Sequence, residues 1–323
     1  YKDHDYHFLA LTDHNTLAEG ERWLEMSDSL KQAAFNKYLE KYGQDWVQFS
    51  DSGGIRVKLK TLAEYKSLFE ENGKFLVIQG EEITDSYNDK PLHLNANNLQ
   101  QNIAPQGGSS VVDVLQRNIN AVLQQREESG VPMMVHINHP TFHFAITVAD
   151  MIALQGERFF ELFNGHHMVY NLGDSTHMAT ETMWDQINIA YALNQRPLLY
   201  GLATDDSHNY HRHGAEWSNS GRGWVWVKSE TLTPENLVTS LERGDFYAST
   251  GVTLESLEVK DNTLRISIPK DNNSYTIQFV GCTAQDTNTR VLKEQTGFET
   301  SFELKPEYLF VRARIISSAA PDN

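Results

Sequence analysis

Carboxylates and imidazoles follow an apolar run in the segment GLATDDSHNY at a spacing that suits metal binding. Asp205, Asp206 and His208 come directly after the apolar run 198–203. If the strand predicted there continues, Asp206 and His208 point to the same side, because alternate residues of a strand share a face. They would then form a usable pair of metal ligands. For one such pair alone, a polar strand end followed by a turn is the more common explanation.

The same arrangement recurs along the chain, and this repetition favours a metal site. Asp13 and His14 follow the run 8–11, Glu81 and Glu82 follow 75–78, His93 lies within 92–94, His136 and His139 follow 133–135, and Asn164, His166 and His167 follow 159–163. If the strands are parallel, all these side chains project from one rim of a barrel-type α/β fold. Carboxylates and imidazoles without thiols suit Zn²⁺, Mn²⁺ or Fe ions, and bound cations would offset the repulsion between the carboxylates.

The elements that must position these side chains follow from the periodicity of the apolar residues. Over residues 1–250, β-type runs alternate with helical patterns, which is typical of parallel strands joined by helices. From residue 251 the chain changes to short alternating runs separated by turn residues, which predicts a small antiparallel β domain. Helices are predicted over 17–42, over 110–130 with Ser110 and Asp113 at its start and Gly130 at its end, and over 176–195.

Composition excludes several classes of function. The 323 residues carry 43 acidic and 27 basic side chains, a formal charge of −16, which disfavours a polymeric nucleic-acid partner and gives nuclease activity a low rank. No apolar run approaches the roughly 18 residues of a membrane-spanning helix. Cys282 is the only cysteine, which excludes an intrachain disulfide and a thiolate metal cluster. The partner expected is a small molecule, and the oligomeric state is not indicated.

The motifs together carry a resemblance to a known family. ALTDHNT, GEEIT followed by HLNA, NHP, ELFNGHH and ATDDSHNY occur in the order of the polymerase and histidinol phosphatase (PHP) family of metal-dependent phosphoesterases, which residues 1–250 resemble. GRGWVWV, GDFYASTGV and VRARIISS are similar to a PHP subgroup with a C-terminal β domain. The resemblance implies a distorted (β/α)7 barrel of PHP type, an antiparallel β-sandwich-like domain over 251–323, and export to a periplasmic or secreted location.

The resemblance also implies a centre of two or three divalent ions, Zn, Mn or Fe. By position, Glu82 matches the carboxylate that bridges two metals, His93 and His139 match ligands of the second metal, Asp206 matches a ligand of the first, and His14 and His208 match ligands of a third. Asp13 and Asp205 are then expected to orient the imidazoles.

The resemblance implies that the chain is N-terminally truncated. The family opens with a strand that bears a His-x-His pair and then an acidic residue, a few tens of residues before the TDH motif. The sequence begins at Tyr1, too late to contain them. We therefore expect the first barrel strand to be missing and catalysis to be impaired. The second metal, with Glu82, His93 and His139, would keep its ligands best.

The expected function is hydrolysis of a small-molecule phosphate ester by a metal-bridged hydroxide. Glu82 and Asp206 hold the metals, and His166 or His167 protonates the leaving group. Arg222, in the glycine-flanked SGRGWV, could clamp the phosphate, although a surface-turn arginine explains it equally well. Metal-dependent hydrolysis of an amide or carboxylic ester, and non-catalytic binding of a metal or ligand, stay open as alternatives.

Overall fold

The structure is a computed structural model that describes residues 1–319. In chain order the strands are β1 (Phe8–His14), β2 (Arg22–Glu25), β3 (Phe49–Ser50), β4 (Arg56–Leu59), β5 (Leu76–Tyr87), β6 (Lys90–Asn97), β7 (Met134–Ile137), β8 (Phe159–Asn164), β9 (Tyr200–Thr204), β10 (Trp224–Val227), β11 (Phe246–Ser249), β12 (Ser256–Lys260), β13 (Thr263–Ser267), β14 (Tyr275–Thr283), β15 (Arg290–Thr296), β16 (Glu299–Glu303) and β17 (Tyr308–Ser317). The helices are α1 (Ser29–Tyr42), α2 (Leu62–Phe69), α3 (Val111–Ser129), α4 (Val148–Ala153), α5 (Thr180–Leu193) and α6 (Pro234–Arg243).

A curled six-stranded sheet in the order β1-β5-β6-β7-β8-β9 forms half of a barrel and carries the candidate site. Strands β1, β5, β7, β8 and β9 run in one direction, while β6 pairs antiparallel with both of its neighbours. The protein is therefore of mixed α/β class, as predicted. The prediction of parallel strands throughout is wrong for β6.

The direction of β6 follows from a tight turn between it and β5. Asn88 and Asp89 form the whole connection, and their φ angles are 47° and 63°. Two consecutive residues with positive φ make the type I′ turn that joins antiparallel strands, and Asn and Asp tolerate this conformation well. β5 and β6 thus form a hairpin, because a two-residue connection is too short for a parallel crossover.

Helix α3 has the boundaries that its sequence predicts. Ser110 caps its first turn by accepting from the backbone N–H of Asp113 at 3.0 Å, and Gly130 ends it in the left-handed conformation at φ 68°. The Asp113 carboxylate accepts from Ser109 instead of reaching back to Ser110, so the capping box is only half formed. The apolar side of α3 is fully buried against β6 and β7 at Val114, Leu115, Ile119 and Val122.

The other two helix predictions have different outcomes. α5 lies within the predicted range 176–195. The prediction over 17–42 is wrong in its first half, because the residues of β2 pair antiparallel with β4 and α1 begins only at Ser29. Asp28 starts that helix by accepting from the backbone N–H groups of Leu30 and Lys31, so the helix begins at Ser29 and not at residue 17, while its end at Tyr42 agrees with the prediction.

Residues 256–317 form two three-stranded antiparallel sheets, β12-β13-β16 and β15-β14-β17. The alternating pattern predicted antiparallel pairing here, and the register of the strands confirms it. The inner faces share an apolar core that includes Ile266, Ile277 and Phe279, each at most 2% exposed. None of the six helices combines the length and apolar character that crossing a bilayer requires, within the part of the chain that the structure describes.

Candidate metal centre

The carboxylate of Glu82 lies between three imidazoles. Its Oε2 is 2.9 Å from His14 Nδ1. Its Oε1 is 3.1 Å from His93 Nδ1 and 3.6 Å from His139 Nε2. Asn138 Nδ2 donates a hydrogen bond of 2.8 Å to the same Oε1. Glu82 is only 5% exposed, so this is a buried carboxylate whose close partners are imidazoles and an amide.

The sheet brings these residues together by register. The parallel pairing of β1 and β5 places His14 directly beside Glu82. In the hairpin, His93 pairs with Thr84, which lies two residues beyond Glu82 and therefore on the same face of β5. His139 follows the end of β7, which pairs with β6 on its other side. Strands β1, β5 and β6 and the segment after β7 thus direct their polar side chains to one place on the sheet.

The ionisation of this cluster favours a bound cation. Burial acts to raise the pKa of Glu82, but His139, His14 and His93 outweigh it and hold the pKa well below its ordinary value. The hydrogen bond to Glu82 raises the pKa of His14. Burial acts to lower the pKa of His139, and the contact with Glu82 reverses this so that the pKa is raised. Contact with the Glu82 carboxylate thus makes His14 and His139 bind protons more tightly, and a metal ion would compete with protons for the same nitrogens.

The separations of the donor atoms fit a divalent ion. One nitrogen or oxygen from each of His14, Glu82 and His93 lies within 4.8 Å of the others. Two atoms that bind one Zn²⁺ tetrahedrally, each about 2.1 Å from the ion, lie about 3.4 Å apart. The distances between the Glu82 oxygens and the imidazole nitrogens range from 2.9 to 3.6 Å, and this range includes the expected separation. The nitrogen and oxygen donors are also those that Zn²⁺ and Mn²⁺ accept.

Asp206 and His208 border this cluster, but they do not lie on a strand. β9 ends at Thr204, and Asp206 has a φ of 48°. The interpretation that a continuing strand aligns the two side chains is therefore wrong. A turn instead brings His208 Nδ1 to 3.4 Å from Asp206 Oδ1. Burial raises the pKa of Asp206, and the negative charges of Glu161 and Glu82 add to this.

The histidines of the motif ELFNGHH lie beside His208. The His166 ring is 5.3 Å from the His208 ring and 4.6 Å from the His167 ring, between centroids. Burial, followed by the positive charges of His208 and His167, lowers the pKa of His166 to about 4. His166 is therefore uncharged at neutral pH, which suits accepting a proton rather than donating one. His167 is exposed and contacts Ser218 Oγ at 3.0 Å through its Nδ1.

Arg222 contacts backbone carbonyls, and neither of the two aspartates expected to orient imidazoles binds one among the described residues. The guanidinium of Arg222 donates to the backbone carbonyls of Gly165 and Gly214 at 3.0 and 2.7 Å. The Asp205 carboxylate accepts from Tyr1 Oη and from three consecutive backbone N–H groups, those of residues 221–223. The expectation that Asp205 orients an imidazole is thus wrong, because this turn uses its oxygens. Asp13 is exposed and acts on the pKa of His14 through its charge, without an imidazole hydrogen bond among the described residues.

Several polar residues of the site are missing from the sequence-based ligand set. Asn138 binds Glu82, and Thr84 Oγ1 lies 2.5 Å from His14 Nδ1. Glu161 and His136 are buried, with Glu161 Oε1 3.5 Å from His136 Nε2. Within the described residues, neither ring nitrogen of His136 has a hydrogen-bond partner. A signal existed for Glu161, because a single carboxylate inside an otherwise apolar strand is rarely buried without a partner.

Comparison with known proteins adds no family assignment, since no protein-family model matches the chain and a search of curated proteins gave no match.

Proposed function

We propose that this protein is a metal-dependent phosphoesterase that hydrolyses a small-molecule phosphate ester. The observation that carries the proposal is the buried carboxylate of Glu82 with three imidazoles around it and no lysine or arginine among its close ion-pair partners in the described chain. A buried carboxylate normally needs a compensating charge. The order of motifs that resembles the PHP phosphoesterases makes a phosphate ester the first choice of substrate.

Six side chains would hold the ions. We assign Glu82, His93 and His139 to one ion, Glu82 and Asp206 to a second, and His14 and His208 to a third. Divalent ions in such a centre lower the pKa of water and neutralise phosphoryl oxygens.

The chain's own residues orient this centre and move protons. Asn138 fixes the Glu82 carboxylate by its 2.8 Å hydrogen bond. Phe142 packs its ring against His139, with centroids 5.0 Å apart, and so limits water on that side. His167, exposed at the rim, is the group we assign to protonate the leaving oxygen. Arg222 would bind phosphoryl oxygens through the N–H groups that do not contact Gly165 and Gly214.

The experiment that tests the proposal is phosphate release from a panel of small phosphomonoesters and diesters. The chelator-treated chain is supplied with Mn²⁺ or Zn²⁺, and turnover is expected for at least one ester. Glu82→Gln should lower turnover and metal affinity by more than about 100-fold, because loss of an outer partner of a ligand alone lowers them 10- to 100-fold.

Glu81→Gln is the matched control, since Glu81 is equally buried on the same strand but faces away from the imidazoles and accepts from Ile103 N at 2.7 Å. The Glu81→Gln protein should keep the turnover and the metal affinity of the wild type. Metal binding without turnover of any ester would favour a non-catalytic binding protein. Turnover of carboxylic esters or amides that inorganic phosphate does not inhibit would favour the alternative hydrolase.

A further inference from the structure

Buried side chains on β8 and β9 connect the two ends of the candidate centre. The carboxylate of Glu161 is 2% exposed and accepts three hydrogen bonds. Its Oε2 accepts from the backbone N–H of His139 and from Asn164 Nδ2, both at 2.7 Å. Its Oε1 accepts from Thr204 Oγ1 at 2.8 Å. Two of these donors, His139 and Thr204, belong to segments that carry or adjoin the assigned ligands, and Asn164 contacts Asp206 directly.

Asn164 extends this network to the opposite side. Its side chain is buried, with 1% of the residue exposed. The amide Nδ2 that donates to Glu161 also donates to Asp206 Oδ2 at 3.1 Å. Its Oδ1 accepts from the backbone N–H of His166 at 2.8 Å. A continuous path of hydrogen bonds therefore runs from the backbone of His139 through two side chains to the carboxylate of Asp206.

Both ends of this path have unusual backbone conformations. His139 has a φ of 22° and Asp206 a φ of 48°. Residues other than glycine rarely adopt positive φ, and they keep it only where surrounding contacts hold them there. The hydrogen bond from the His139 backbone to Glu161 and the one from Asn164 to Asp206 are such contacts. Both hydrogen bonds therefore act on ligands whose own backbone conformation is strained.

A bulge in β8 makes the network possible. Side chains three residues apart on a regular strand face opposite sides. The pairing of β8 with β9 shifts between Glu161 and Phe163, so Leu162 is an extra residue that reverses the alternation. Glu161 and Asn164 then both face the interior. Gly201 accommodates the bulge, because a Cβ there would lie 2.9 Å from Leu162 Cβ.

We propose that Glu161 and Asn164 are positioning residues, which hold His139 and Asp206 in an arrangement that lets both bind the metal centre. This inference rests on the proposed function, since it takes His139 and Asp206 as metal ligands. Neither positioning residue is assigned to a metal. The oxygens of Glu161 are already used by three donors, and the Asn164 amide is shared between two carboxylates.

The test is a Co²⁺ titration of the chelator-treated protein followed by visible absorption, which reports both affinity and coordination geometry. Glu161→Gln and Asn164→Ala should each weaken Co²⁺ binding about 10- to 100-fold and change the absorption bands, because loss of a partner that orients a ligand alters both. Glu157→Gln is the matched control, since Glu157 is 4% exposed, directly precedes the same strand and contacts Tyr191 and Arg196 instead. Its titration should match that of the wild type.

The outcomes separate this inference from the proposed function. Wild-type protein that binds no Co²⁺ would overturn both. Wild-type protein that binds Co²⁺, together with Glu161→Gln and Asn164→Ala proteins that give the same affinity and bands, would overturn only the positioning role. Circular dichroism checks the fold. If either variant does not fold, Thr204→Val removes just one hydrogen bond to Glu161, and it must shift the bands in the same direction for the inference to stand.

Discussion

Glu81 and Glu82 are adjacent glutamates on β5 with opposite ionisation behaviour. Both are buried, and the alternation of the strand turns them to opposite faces. Burial raises the pKa of Glu81, against hydrogen bonds from Ile103 N and Asn102. For Glu82, contacts with imidazoles overcome the same effect of burial and lower the pKa. At the scale of single residues, the direction of the pKa shift of these two carboxylates depends on their hydrogen-bond and charge partners more than on their burial.

Asn138 allows a test of how strongly the Glu82 carboxylate needs a positive partner. Asn138→Asp replaces a hydrogen-bond donor by a second buried carboxylate at nearly the same position. We expect the free energy of unfolding of the chelator-treated protein to fall by roughly 3 kcal/mol, because a buried charge loses its partner and gains a like charge. Added Zn²⁺ should restore more stability in this variant than in the wild type, since the cation offsets both carboxylates. Urea unfolding with and without Zn²⁺ measures this.

Asn188→Asp is the control for that measurement. Asn188 is 3% exposed, and its side-chain amide binds the backbone carbonyl and N–H of Leu199, away from the cluster. This variant should be destabilised to the same extent in the presence and absence of Zn²⁺. Equal responses of the two variants to Zn²⁺ would show that Asn138 does not adjoin a cation site.

At the scale of elements, strand β8 serves both the site and the fold. Its end carries the bulge that directs Glu161 and Asn164 inward. Just before its start, Glu157 accepts from Tyr191 Oη and from Arg196, which ties the strand to α5 and to the segment after it. Arg196 also stacks on the Tyr191 ring at 3.7 Å from its centroid. Two buried carboxylates therefore tie β8 to its neighbours: Glu157 just before the strand and Glu161 within it.

The buried carboxylate of Glu157 predicts a pH-dependent term in stability. Burial raises its pKa above the ordinary 4.5, although Tyr191 and Arg196 act in the other direction. The folded state then holds the proton more tightly than the unfolded state does. The stability that this proton supplies is fully present below pH 4.5 and is lost as pH rises through the folded pKa.

Comparison with Glu157→Gln isolates this term, because glutamine does not titrate. We expect the melting temperature of the wild type, relative to the variant, to decrease as pH rises from about 4 to 8. Differential scanning calorimetry at several pH values measures the two melting temperatures side by side. A difference that stays constant, or that increases with pH, would contradict the raised pKa.

At the scale of the whole molecule, buried ion pairs join the C-terminal sheets to the α/β part. Arg312 on β17 donates to both carboxylate oxygens of Asp185 at 2.7 and 2.9 Å, and to Glu181 at 2.6 Å. Both acidic residues lie on α5. At the start of that helix, Thr180 Oγ1 donates to the carbonyl of Leu162 in the β8 bulge. Helix α5 thus links β17 of the C-terminal sheets to β8, the strand that carries Glu161 and Asn164.

Arg312→Met should destabilise the whole molecule. The change leaves Asp185, whose side chain is 7% exposed, buried without its cation. We expect the free energy of unfolding to fall by about 3–5 kcal/mol, the usual result of removing one partner of a buried pair. Denaturant unfolding followed by tryptophan fluorescence measures the loss, with Trp184 beside Arg312 as a local reporter.

Arg290→Met is the control for this prediction, because Arg290 and its partner Asp286 are both about half exposed. Exposed pairs of this kind contribute little, so the control should unfold close to the wild type. Two variants of equal stability would mean that the contact between β17 and α5 adds nothing to the fold.

The sequence by itself determined the local elements and the chemical inventory. Apolar periodicity and capping residues predict α3 and most of α5, because these signals act between residues a few positions apart. The alternation after residue 251 predicts antiparallel strands for the same reason. Carboxylates and imidazoles at the ends of apolar runs were also visible, and the structure brings His14, Glu82 and His93 of that set into contact.

Only the tertiary structure decided which side chains meet and what holds them. No local sequence pattern predicts the turn at Asp206, the bulge at Leu162 or the hydrogen bonds from the backbone of residues 221–223 to Asp205. Each depends on hydrogen bonds and steric fit with segments distant along the chain. A carboxylate inside an apolar strand indicates that Glu161 has a partner, but its connection with Asn164 could not be assigned from the sequence, since it arises only where a shifted strand register turns both side chains inward.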